Sequence, residues 1–314
     1  MRIVLLESLG IGDDILKTYT DALEAQGHSF QAFKKTSDLK KLAEEGKDAD
    51  AVILTNMPLP SEVINQWKNV KFIDIAFTGV DHVDVETAKE KGIRLSNASG
   101  YSTGAVAELT ICQMLNLLRY TKETGLRCRN GGTKDGFVGE ELGGKTVGVV
   151  GYGKIGARVA KLCAAFGCKV LATSRNHQTG FDGPIRFTGM DVLLHESDIV
   201  TLHCPLTNET RGLINAEAFG KMKKCALLIN MARGPVVDQN ALIDALETGK
   251  IRGAAADVFD MEPPLPKDHP LLSCKNLLVT PHIAFASRQA MEKRAAIVFE
   301  NLNAWLNGRL NNAV

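Results

Sequence analysis

Thr146-Val147-Gly148-Val149-Val150-Gly151-Tyr152-Gly153-Lys154-Ile155-Gly156 decides how this chain folds. A β-branched apolar run enters a Gly-x-Gly-x-x-Gly turn, and residues 157–166 continue with helical apolar spacing. In that order, Gly151 permits a tight turn, Gly153 lets backbone approach a pyrophosphate, and Gly156 lets helix and strand pack closely. The first turn of the helix then offers free N–H groups and positive potential to phosphate. The glycines alone would be weak evidence, but strand, loop and helix in sequence predict a dinucleotide site rather than a structural turn.

Downstream, β-rich runs recur at 169–173, 199–203, 227–231, 253–258 and 277–279, separated by helical patterns. With 146–150 they make six strands of a doubly wound α/β domain. Upstream, runs at 2–6, near Phe30, 51–54, 72–77 and 94–96 alternate with helical patterns such as 13–26 and 84–91, predicting a second parallel sheet. Gly27 and Gly92 supply helix stops, and Asp84 and Ser61 are candidate N-caps. An apolar helix at 106–119 leads into a Gly-rich, charged stretch at 131–144, and a last helix at 287–306 falls outside the second strand set, free to return to the first domain. A length of 314 residues suits two domains.

Lys plus Arg (37) balances Asp plus Glu (36), which leaves no overall field for nucleic acid or an anionic membrane surface. No run reaches the roughly 18 apolar residues of a membrane span, so the expected location is the cytoplasm. Seven cysteines, with no Cys-x-x-Cys and no ligand spacing, read as reduced thiols, and no metal site is expected.

The strand 169–173 should end at the residue that reads the adenosine ribose, where NAD sites place a carboxylate. Here Ser174-Arg175 follows. Arg175 can pair with a 2′-phosphate, which favours NADP; with Arg175 in solvent, Ser174 would accept NAD. Three more segments end predicted strands: 230–234 with Arg233, 257–264 with Glu262, and 280–284 with His282. Reduction of a 2-keto acid needs a cation for the carboxylate, a proton donor for the carbonyl oxygen and a hydride. Arg233 suits the first by its planar fork, and His282 the second because both protonation states are reachable near neutrality. Glu262 would orient the imidazole and stabilise the imidazolium, and the nicotinamide would bring the hydride.

Together, 151–156, 203–207, 230–234, 257–263 and Pro281-His282 resemble the D-isomer-specific 2-hydroxyacid dehydrogenases over nearly the whole chain. The resemblance implies an NAD(P)-dependent enzyme, usually a homodimer. Its discontinuous flavodoxin-like substrate domain, here 1–98 and 287–314, would close on a Rossmann cofactor domain, 99–286. It implies catalytic roles for Arg233, Glu262 and His282, and cofactor contacts at Lys154, Ile155, Ser174, Cys204, Pro205, Met231, Ala232 and Asp257. Gly79 and Val80 match the loop whose amides bind the substrate carboxylate. Tyr101 matches a substrate-touching hinge tyrosine of the D-lactate and D-2-hydroxyisocaproate branch, whereas Ser174-Arg175 is more like NADP-using glyoxylate and hydroxypyruvate reductases. His82 and His203 read as structural, and Cys204 as cofactor wall rather than nucleophile. The alternative from another class is a dinucleotide-sensing binding protein of the corepressor type, which the Arg, Glu and His set disfavours. Formate dehydrogenase is disfavoured by Glu262, where those enzymes carry Gln, and phosphoglycerate dehydrogenase by the lack of an appended regulatory domain.

Overall fold

The computed structural model describes residues 1–175 and 179–314. Two compact units emerge, Met1–Ser102 with Ala286–Val314, and Thr103–Phe285.

The first unit runs β1 (Arg2–Leu5), α1 (Asp13–Glu24), β2 (Ser29–Ala32), α2 (Leu39–Gly46), β3 (Ala51–Leu54), α3 (Ser61–Ile64), β4 (Phe72–Ile75), α4 (Val85–Glu90) and β5 (Arg94–Asn97). Its five strands are parallel in the order β2-β1-β3-β4-β5. Chain direction across the sheet reverses between β1 and β3, the point where such sheets open a crevice beyond the strands' carboxyl ends. Every residue of β3 and β4 is buried, as covered parallel strands require. Asp84 caps α4 as expected, accepting the Thr87 N–H at 2.9 Å. Ser61 does not cap α3: the Leu59–Val83 bridge keeps the chain extended through Pro60, which takes the N-cap position, and Ser61 becomes the first helical residue.

The second unit continues with α5 (Thr103–Arg119), α6 (Thr121–Arg129), β6 (Thr146–Val150), α7 (Lys154–Ala165), β7 (Lys169–Thr173), β8 (Gly180–Asp182), β9 (Ile185–Phe187), α8 (Met190–Glu196), β10 (Ile199–Leu202), α9 (Ala216–Lys221), β11 (Leu227–Asn230), α10 (Gln239–Glu247), β12 (Gly253–Ala256) and β13 (Leu277–Val279). Its sheet order is β13-β12-β11-β10-β6-β7-β9-β8, doubly wound about β6 and β10. Two strands go beyond the six that the periodicity predicts. β9 is parallel to β7 and buries only Ile185 and Phe187, while β8 is an antiparallel edge strand without a buried residue. Segments that short carry almost no alternation to read.

The chain then returns to the first unit as α11 (Arg288–Leu306), capped by Ser287, whose hydroxyl accepts the Ala290 N–H at 3.2 Å. Trp305 of α11 stacks on Phe72 of β4 at 5.1 Å, and Phe299 on Tyr19 at 4.3 Å, so the last helix buries its aromatic face in the first unit's core.

Candidate active site

The crevice beyond β6 and β10 holds a cavity of about 310 Å³ lined by residues that include Gly151, Tyr152, Gly153, Ser174, Arg175 and His203 through Pro205. Local backbone explains the glycines. Gly151 has φ +94°, and a Cβ there would stand 2.6 Å from the Cys204 nitrogen. A Cβ on Gly156 would lie 2.0 Å from the Gly151 carbonyl oxygen, so helix and turn touch backbone to backbone. Gly153 differs: a Cβ there would meet nothing within 4 Å. It is the N-cap of α7, with no side chain capping the first-turn amides and no acidic residue in that turn. Open space, uncapped donors and the positive end of a twelve-residue helix fit a pyrophosphate.

Among the other expected cofactor positions, Ser174 is half-buried and Arg175 exposed on the cavity rim. Burial pushes the Cys204 thiol up, which keeps it protonated and suits a wall rather than a nucleophile. Lys154, Ile155, Gly156, Met231, Ala232 and Asp257 do not line this cavity. Asp257 is fully buried, and its carboxylate accepts the Thr280 hydroxyl (2.6 Å) and the Ile283 and Ala284 amides (2.9 and 2.8 Å). Burial raises its pKa more than those bonds lower it.

That carboxylate shapes the loop that presents His282. The His282 N–H donates to the Asp257 carbonyl at 2.8 Å, and the residue sits at φ +55°, a left-handed conformation uncommon for a residue with a Cβ. The imidazole Nδ1 lies 2.8 and 2.9 Å from the two Glu262 oxygens, and Phe285 meets the ring edge-on at 5.2 Å. The imidazole is thereby held in one orientation from its Nδ1 side. Arg233 follows β11, where Asn230 staples the turn by donating to the Arg233 carbonyl (3.0 Å) and accepting the Ala232 N–H (3.1 Å). A Cβ on Gly234 would fall 1.7 Å from the Phe259 carbonyl oxygen, so the Arg233 turn rests directly on the segment leading to Glu262. Gly79, Val80 and Tyr101 belong to the other unit, the first two half-buried and Tyr101 only 3% exposed.

Residues 111–284 match the family described as D-isomer specific 2-hydroxyacid dehydrogenase, NAD binding domain. The chain is 35% identical to a hydroxypyruvate reductase of Blautia hydrogenotrophica, across 100% of this chain and 99% of the relative. It is 42% identical to a glyoxylate reductase of Thermofilum pendens, across 84% and 80%. Among solved structures, the TT0316 protein from Thermus thermophilus superposes with a TM-score of 0.89 at 37% identity, covering both chains fully. This chain belongs to the D-isomer-specific 2-hydroxyacid dehydrogenase family.

For a D-isomer-specific 2-hydroxyacid dehydrogenase, the motif residues were readable but their supports were not. Asn230, Gly234 and Thr280 lie within the segments 230–234 and 280–284 that the sequence singles out, but their part in holding the Arg233 and His282 turns shows only in the structure. His203 joins the dinucleotide cavity wall, with its Nε2 2.9 Å from the Thr201 hydroxyl. Burial drops His203 to about 3, so its ring is neutral near pH 7. Among the described residues, no group of three His, Cys, Asp or Glu side chains is placed to hold a metal, and no helix is long and apolar enough to cross a membrane.

Proposed function

We propose that the protein reduces a small 2-keto acid to the D-2-hydroxy acid, with His282, Glu262 and Arg233 as its catalytic set. The observation that carries this reading is the His282–Glu262 pair, two bonds of 2.8 and 2.9 Å at the carboxyl edge of a dinucleotide-type sheet. Glu262 accepts from Nδ1–H, which directs Nε2 at substrate. Nε2–H gives its proton to the C2 carbonyl oxygen, and Glu262 stabilises the imidazolium between turnovers. Arg233 takes the substrate carboxylate with its planar fork, and Gly79 and Val80 are proposed as further substrate-binding residues. Tyr101 borders the substrate. Gly151, Gly153 and the α7 N-terminus would hold the pyrophosphate of NAD(P)H, which would supply the hydride.

NADP is the favoured cofactor and NAD the alternative, because β7 is followed by Ser174-Arg175 rather than by a carboxylate, both on the rim of a cavity that Glu209 also lines. The working form is a cytoplasmic homodimer. Supporting it are the apolar Leu126 (63% exposed) and Val138 (87%) on the arm around α6, which has no buried residue. Relatives named hydroxypyruvate and glyoxylate reductase favour an enzyme over a dinucleotide sensor.

The test is steady-state kinetics on glyoxylate, hydroxypyruvate, pyruvate and 2-ketoisocaproate with NADH and NADPH. Arg233→Ala is expected to lower kcat/KM by about 100-fold or more, through both kcat and KM. A near-normal value would remove that arginine from the site. Arg175→Ala is expected to raise KM for NADPH by about tenfold and to leave NADH nearly untouched, as loss of a single charged contact predicts. Equal losses for both cofactors would refute the ribose-phosphate assignment.

A further inference from the structure

Residues 162–169, Leu-Cys-Ala-Ala-Phe-Gly-Cys-Lys, carry the chain from α7 into β7 with a cysteine on either side of the turn. Two backbone bonds close the helix there. The Gly167 N–H donates to the Ala164 carbonyl at 2.9 Å and the Cys168 N–H to the Cys163 carbonyl at 3.1 Å, with Gly167 at φ +83°. In a closure of this kind, the third residue before the helix cap and the second after it turn their side chains onto one another, commonly as an apolar contact. With Phe166 as the cap, those two positions are Cys163 and Cys168, so the contact is made by a pair of thiols.

The two thiols are unequal. Cys163 is fully buried and Cys168 half-buried. Donation from the Cys163 thiol lowers the Cys168 pKa, burial opposes it, and the Lys145 ammonium acts in the lowering sense. The same contact raises Cys163, and burial adds to it. Burial also pushes up the Cys204 and Cys274 thiols, so neither shares the bias of Cys168 towards thiolate. As a neutral thiol Cys168 donates to the Leu142 carbonyl at 3.3 Å; on ionisation it gives up that bond and keeps the Cys163 donor. A half-exposed sulfur biased towards thiolate is the one a peroxide oxidises first, and a second thiol in contact with it is placed to resolve the product.

We propose that Cys163 and Cys168 form a reversible dithiol–disulfide site that reacts with peroxides. The Cys168 thiolate attacks one oxygen of hydrogen peroxide, the O–O bond breaks, and the sulfur becomes a sulfenic acid while hydroxide leaves and takes up the proton that Cys168 had released. The Cys163 sulfur then attacks the Cys168 sulfur, the S–O bond breaks, and the Cys163 proton departs with the hydroxyl as water. Two thiols and one peroxide thus become one disulfide and two waters, the sulfurs giving up two electrons and the peroxide taking them. The backbone bond between the two residues already holds them in contact, so the new bond closes without unfolding the helix end. This site lies at the far end of α7 from the amides offered to pyrophosphate, roughly 18 Å away along a twelve-residue helix, and does not depend on the keto-acid reductase reading.

The test is peptide mapping of the native protein after equimolar hydrogen peroxide at about pH 7, with remaining thiols blocked by N-ethylmaleimide. Lys161 and Lys169 release residues 162–169 as one tryptic peptide. That peptide is expected to lose two hydrogens and to take no maleimide, and cleavage after Phe166 with chymotrypsin should leave its halves joined until a thiol reductant is added. Cys163→Ser is expected to stop at the Cys168 sulfenic acid, captured by dimedone, and to pass on to sulfinic acid in excess peroxide, since the resolving thiol is gone. Cys168→Ser should leave Cys163 a free thiol. A wild-type peptide that keeps both maleimides while the exposed Cys112, Cys128 or Cys225 is consumed overturns the proposal. A disulfide that forms only in urea overturns it as well, because the folded closure would then hold the two sulfurs apart.

Discussion

His282 and His203 stand just beyond strands of the same sheet, each close to a proline, and their surroundings make them opposites. His282 presents Nδ1 to both oxygens of Glu262, a carboxylate whose side chain is 45% exposed. His203 meets a threonine hydroxyl, and burial drops it to about 3. An imidazole can cycle a proton only where its cation is stabilised, so the partner across the loop decides the role.

The contrast breaks most visibly in turnover. His282→Ala is expected to lower kcat by about 100- to 10,000-fold with bound substrate little changed, whereas His203→Gln stays within about tenfold and acts through KM for the cofactor. Equal losses in the two variants would abolish the distinction. A smaller effect is expected at Asp257, whose carboxylate holds the turn of His282 by three bonds. Asp257→Asn loses part of that acceptor set, and kcat should fall by roughly 10- to 100-fold, as for other supporting hydrogen bonds. NAD(P)H binding by fluorescence titration separates the readings, since an unchanged Kd marks a positioning residue and a matching loss a direct cofactor contact.

Asp74 extends the comparison to carboxylates and to stability. It lies fully buried in β4, with Asn301 donating to Oδ1 at 3.1 Å and no partner for Oδ2 among the described residues. Burial pushes it up to about 8, against about 3.9 unfolded. The folded chain therefore holds a proton that the unfolded chain has released, and stability falls as pH rises from about 4 to 8. Asp74→Asn removes that slope. Its Tm should match wild type near pH 4 and exceed it by a few degrees near pH 8. Parallel Tm curves for the two proteins would show that Asp74 stays ionised in the fold.

The strand–loop–helix signal at 146–156 was legible because tight turns and backbone-to-backbone packing admit glycine and little else. Gly151 and Gly156 meet neighbouring backbone at 2.6 and 2.0 Å on adding a Cβ. The Arg233, Glu262 and His282 motifs were legible for a related reason, since few residue types perform their chemistry. The edge strands β8 and β9 escaped notice because three residues carry too little period, and Ser61 misled because a cap depends on where the preceding chain stays extended.

Sequence alone determined two parallel α/β units, the dinucleotide-type turn and which histidine, glutamate and arginine to propose as the catalytic set, because each is written in local residue types and spacing. Tertiary structure alone decided the two-oxygen geometry of the His282–Glu262 contact, that Asp257 clamps the turn of His282, and that Arg294 comes to lie against Tyr101. Those pairings join residues 20, 26 and 193 positions apart, as the bonds of Glu262 to His282, Asp257 to Ile283 and Gly100 to Lys293 illustrate. Separations of that size leave no periodic trace, since they are set by how strands order in a sheet and by which helix returns to cover it.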